Sequence, residues 1–128
     1  MIALLVLVFP AVASAQEKVG NCSRFDSDCI NNPFGAGSQF KSDGVNNPYS
    51  RRGSPFSNES ANNPYATNAP KLYDKQGNYR GRLSSNPFDP ESTSNPYGRY
   101  GNPNSPDSIN NPYGAGNPNN PVYIGPPD

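Results

Sequence analysis

The sequence predicts a mostly irregular, low-complexity repeat chain with single helical turns, Asn-Pro-aromatic reverse turns and one short β-hairpin. Three observations carry that expectation: few aliphatic residues, proline and glycine spread along the length, and a phrase that keeps recurring. Of the 128 residues, 16 are Pro and 12 are Gly. After residue 15 the branched aliphatics are only Val19, Ile30, Val45, Leu72, Leu83, Ile109, Val122 and Ile124. Burying so few side chains offsets little of the conformational entropy lost when a chain of this length is ordered. The composition is therefore compatible with a largely disordered chain. Mostly turn and irregular circular dichroism is expected, without a cooperative thermal transition.

Residues 1–15, MIALLVLVFPAVASA, form an apolar run followed by Pro10 and the small residues Ala13-Ser14-Ala15. That order is a secretory signal with cleavage expected before Gln16. The run is too short to span a bilayer, which takes about 20 apolar residues. No stable membrane insertion is expected after cleavage, and the protein is expected in the periplasm or secreted. Residues 16–31 follow as a cysteine-loop segment, NCSRFDSDC. In an exported chain Cys22 and Cys29 are expected to pair as a disulfide. His is absent and no second cysteine pair exists, so a metal site is not expected.

Asn-Pro-aromatic repeats occupy 32–68 and, with a C-terminal tail, 86–128. The triplet begins at Asn32, Asn47, Asn63, Asn86, Asn95 and Asn111. NPYSRRGSPFSNESANNPY and NPYGRYGNPNSPDSINNPY align over a full unit, with Arg51 on Arg99, Gly53 on Gly101 and Ser60 on Ser108. Asp28, Asp43, Glu59, Glu91 and Asp107 each stand four residues before an Asn-Pro pair. In Ser105-Pro106-Asp107 the serine suits a helix cap, the proline its first position, and the acid its dipole. Pro112 then stops the helix after one turn, and Asn111-Pro112-Tyr113-Gly114 has the residues of a reverse turn. Each aromatic is expected to fold back on the turn it follows. Between the repeat blocks, residues 69–85 suggest a hairpin with strands Lys71–Asp74 and Asn78–Leu83 around Asp74-Lys75-Gln76-Gly77.

The word order LYDKQGNYRGRLSSNPFDPESTSNPYGRYGNPNSPDSINNPYGAG, from Leu72 to Gly116, resembles a group of small exported bacterial proteins. That group is built from tandem NPYGRYGSPYSPDSINNPYGAG-type repeats. The resemblance covers most of the chain after residue 15 and implies an envelope or secreted setting, with no activity attached. This chain departs from it at Asn104, where an aromatic is usual, and in its cysteine loop.

Chemistry is largely excluded by inventory. Without histidine the usual neutral-pH base is missing, and no core is expected to retune a carboxylate. No enzyme activity, catalytic residue or cofactor is expected. The 10 basic and 10 acidic residues balance, so nucleic acid is not an expected partner. The expected role is a structural or protein-interaction component of the bacterial envelope. Candidate contacts are Tyr49, Tyr65, Tyr97, Tyr100 and Tyr113, acting through many weak contacts on an envelope protein. The alternatives are a glycan, read by tyrosine faces and asparagine amides, or a solvated spacer without a specific ligand.

Overall fold

The backbone of this chain is satisfied three residues at a time. From Ser23 to Ser50, every third N–H donates to the carbonyl three residues back, at 3.0–3.3 Å. The pattern resumes at Ser54 and again from Asp89 to Asn120. The sequence divides accordingly into triplets such as Ser54-Pro55-Phe56, Ser57-Asn58-Glu59, Ser60-Ala61-Asn62 and Asn63-Pro64-Tyr65. The first residue carries a side-chain oxygen that accepts the N–H of the third: Phe56 to Ser54 at 3.1 Å, Asn62 to Ser60 at 2.9 Å, Tyr65 to Asn63 at 3.0 Å. Proline fits the second place because that N–H has no partner to lose. These local bonds are why Ser, Asn and Asp recur at a period of three.

The computed structural model describes residues 17–125. The expected signal segment, with Ala13-Ser14-Ala15, lies outside them. Four strands form one antiparallel sheet: β1 (Lys18–Val19), β2 (Lys71–Asp74), β3 (Tyr79–Arg82) and β4 (Val122–Ile124), in the order β1-β4-β2-β3. The last strand thus lies between the first two, with Val19 opposite Val122 and Leu72 opposite Ile124. The hairpin of β2 and β3 pairs Tyr73 with Tyr79, and a bulge at Gly81 (φ 89°) shifts its register. Two turn ribbons, residues 23–66 and 86–120, run between the strands.

This architecture overturns the expected mostly irregular chain with single helical turns. The described residues contain a four-stranded sheet with long-range contacts and no helix. The segment from Ser105 to Ile109 illustrates the reason. Ser108 donates to Ser105 and Asn111 to Ser108, so each would-be helical turn closes after three residues and begins again. The prolines spread through both ribbons remove donors that a helix needs. The hairpin is likewise not isolated, because β4 pairs with β2 along its other edge.

Few aliphatics suffice because they converge. Val19, Leu72, Val122 and Ile124 from the sheet pack with Val45, Ala61 and Ile109 from the ribbons, and Ile30 and Leu83 rest against them. Ile30, Val45, Ala61, Thr93 and Ile109 each stand two residues before the Asn of an Asn-Pro pair, one per unit. The residue just before each is fully buried where it is Cys29, Ser60, Ser92 or Ser108. Five consecutive triplets make the 15-residue interval from Asn32 to Asn47; the 16-residue intervals add one glycine, Gly53 or Gly101. A Cβ on either would collide with the carbonyl of Asn47 or Asn95, so the inserted residue must be glycine.

Asparagine amides stack the units. Asn62 donates to the carbonyls of Val45 (2.8 Å) and Gly53 (3.0 Å), and Asn110 to those of Thr93 (2.9 Å) and Gly101 (3.0 Å). Asn46 does the same to Ile30 and Gly37, at 2.9 and 3.1 Å. Asn21 donates to Gly116 at 2.7 Å, tying the start of the first ribbon to the end of the second. The next Asn holds its own unit: Asn47 and Asn111 accept from their aromatics and donate to the carbonyl six residues back.

The acids also serve differently than expected. With no helix dipole to face, Asp43 and Glu59 both bind Arg51, at 2.8 and 2.7 Å. Asp107 binds Arg99 and Arg80, each at 2.6 Å. Buried Glu17 lies 3.1 Å from Lys41 and 3.4 Å from Arg52, and its carbonyl accepts from Ile124.

Candidate aromatic interaction surface

Fixing the first residue of a triplet by its side-chain oxygen leaves the third to project outward. That third position holds Phe25, Phe34, Phe40, Tyr49, Phe56, Tyr65, Phe88, Tyr97 and Tyr113, and these rings are 84–97% exposed. Single exposed apolar residues are ordinary, but nine aromatics at one structural position are not. The expectation that each ring folds back over its own turn is therefore overturned. The aromatic N–H is held by the Asn Oδ1, at 2.9 Å for Phe34 and 3.0 Å for Tyr49 and Tyr113, which aims the ring away from the unit.

The rings come in pairs nine residues apart: Phe25 with Phe34, Phe40 with Tyr49, Phe56 with Tyr65, and Phe88 with Tyr97. In the last unit Asn104 stands where the first ring of the pair would be, with Tyr113 in the second place. The first place is always Phe when aromatic, and the second is Tyr from the second unit onward. Because stacked units are bonded through Asn46, Asn62 and Asn110, equivalent rings of neighbouring units occupy equivalent positions on them.

Four of the five nominated tyrosines, Tyr49, Tyr65, Tyr97 and Tyr113, belong to this exposed set. Tyr100 does not. Its ring packs edge-on against Tyr79, centroids 5.4 Å apart, and covers Gly81. Tyr79 in turn meets Tyr73 at 5.8 Å and donates to the Glu91 carboxylate. Burial first, and that acceptor second, push the Tyr79 hydroxyl well above the ordinary tyrosine range. Tyr100 is thus part of the sheet's support. Of the five phenylalanines only Phe34 and Phe88 follow Asn-Pro, so the period of three, and not the Asn-Pro-aromatic word, marks the whole set in the sequence.

Cys22 and Cys29 form a disulfide, with Cα atoms 5.7 Å apart, in the first unit. This pairing is compatible with an exported protein. Asp74 is held by the N–H groups of Gln76 and Asn78 and by Arg80 at 2.9 Å. Burial opposes its charge, but these donors hold the carboxyl below its usual range. No group of three or more metal-ligating side chains occurs among the described residues. Among the described residues there is no helix long and apolar enough to cross a membrane.

Comparison with protein-family models, curated proteins and solved structures finds no match for this chain.

Proposed function

We propose that the chain is an exported, non-catalytic repeat protein of the bacterial envelope that holds paired Phe and Tyr rings against a protein partner. One observation carries this reading: nine aromatics at the same turn position, none packed into the molecule that bears them. Aromatic rings supply large contact area at little entropic cost, which suits them to interfaces. Each pair alone is a weak contact, but stacked units multiply them on one frame. Export is supported by the apolar N-terminal run, the Ala13-Ser14-Ala15 site, the disulfide and the resemblance to exported repeat proteins.

The glycan alternative is less well supported, because it assigned sugar recognition to the asparagine amides as well as to tyrosine. Those of Asn46, Asn62 and Asn110 each already donate to two carbonyls. The test is capture from envelope extract, run beside a glycan array, for the parent and for Tyr49, Tyr65, Tyr97 and Tyr113 replaced together by Ala. Loss of protein capture with unchanged circular dichroism is the expected result. Glycan binding by the parent, or no specific ligand in either assay, overturns the reading.

A further inference from the structure

Stacking by asparagine is interrupted between the two ribbons. The carbonyls of Ile30, Val45 and Thr93 are each met by the amide of the next unit, from Asn46, Asn62 and Asn110. The equivalent carbonyl of the third unit is that of Ala61, and the residue in line to meet it is Ser94. Serine lacks the reach of an amide, and the Ser94 hydroxyl donates instead to Ser84 at 2.6 Å. Among the described residues no donor reaches the Ala61 carbonyl. Ala61 and Ser94 both line a groove of about 240 Å³, with Ile30, Val45 and Leu83 as apolar lining and Ser84 beside them.

We propose that this groove binds a polypeptide segment carrying an asparagine beside a small aliphatic residue, supplied by another protein. The asparagine amide donates to the Ala61 carbonyl, and its neighbour rests on half-buried Ile30 and Leu83. The amide is indicated by what the fold does at its other stacking steps. No charged residue lines the groove, so a neutral donor fits and an ammonium or carboxylate does not. The volume lies below the roughly 300–1,000 Å³ of small-molecule pockets, and suits two side chains better than a cofactor. A second copy of the chain is a poor source, since its own amides at Asn46, Asn62 and Asn110 are already engaged.

Two hexapeptides test this by titration into the isotopically labelled, oxidised chain: Ser-Ile-Asn-Asn-Pro-Tyr, and a control with aspartate replacing its first asparagine. Amide shifts are expected at Ala61, Asn62, Leu83 and Ser94 with the first peptide. The control should bind at least about tenfold more weakly, having lost a donor and gained a charge. The Ser94→Asn chain, with the missing amide supplied internally, should lose the peptide and melt at a higher temperature. Equal response to both peptides, no shift at these residues, or undiminished binding to Ser94→Asn overturns the proposal. The peptide pair decides the matter alone if that variant fails to fold.

Discussion

A single stacking asparagine bonds two carbonyls at once in this chain. Asn62→Ala removes two bonds to partly buried carbonyls, those of Val45 and Gly53. The expected loss is about 1–3 kcal/mol, since the abandoned acceptors stay partly desolvated. Denaturant unfolding should show it as a lower midpoint. Asn104→Ala, on an exposed residue at the third place of its triplet, should change stability by less than about 0.5 kcal/mol. Gly101→Ala should cost more than Asn62→Ala, because its Cβ meets the Asn95 carbonyl and not the end of a flexible side chain. An ordering with Gly101→Ala near the parent would mean the ribbon slackens freely at its inserted glycine.

Among the elements, the first unit is the one closed covalently. Cys29 occupies the buried place of Ser60, Ser92 and Ser108, and Lys18 of β1 bridges to it. Replacing both cysteines by serine should cost about 2–3 kcal/mol for a bridge spanning so short a loop. Hydrogen exchange should quicken at Lys18 and Ile30, whose N–H groups donate across this junction, before it quickens at Leu72. The elements also differ in how far their sequences revealed them. Asp74 to Gly77 announced the hairpin, and Pro after Asn announced the reverse turns. Strands β1 and β4 were hidden, since two or three residues carry no period and their partners are remote in sequence. Asp107 was misassigned to a helix dipole because Arg80, on the hairpin, reaches it only in the folded chain. Tyr49, Tyr65, Tyr97 and Tyr113 are separated from Tyr100 by their exposure, a difference the sequence does not carry because it depends on the Gly81 bulge.

For the whole molecule, a shared core and stacked units imply cooperative unfolding, contrary to the melting behaviour expected from composition. A single sigmoidal thermal transition, coincident in near- and far-UV circular dichroism, is the expected outcome. Its pH dependence follows from the ion pairs. The Arg51 guanidinium holds Asp43 below the usual carboxylate range, Arg99 does so for Asp107, and Lys18 for Asp26. A carboxyl whose folded pKa is depressed contributes stability fully above its unfolded value. That contribution is lost as pH falls through the folded value. The melting temperature should therefore hold steady from pH 7 to about 5 and fall below about 4, where free aspartates begin to protonate. A steady melting temperature down to about pH 2 would show that these pairs add nothing to the fold.

The sheet order has a consequence for assembly. Strand β4 pairs with β1 on one edge and β2 on the other, so the centre of the sheet is filled by its final strand. A chain emerging in sequence order, from a ribosome or through a membrane pore, can wind its turns as it appears. Until Val122–Ile124 arrive, β1 has its bridge to Cys29 but no strand through which to join the sheet. Completion must then follow delivery of the whole chain, as one late event joining segments about a hundred residues apart, the kind of closure that folds slowly. An emerging precursor halted at Asn120 would present wound ribbons and an unclosed sheet, a species open to chaperones and proteases that the finished molecule excludes.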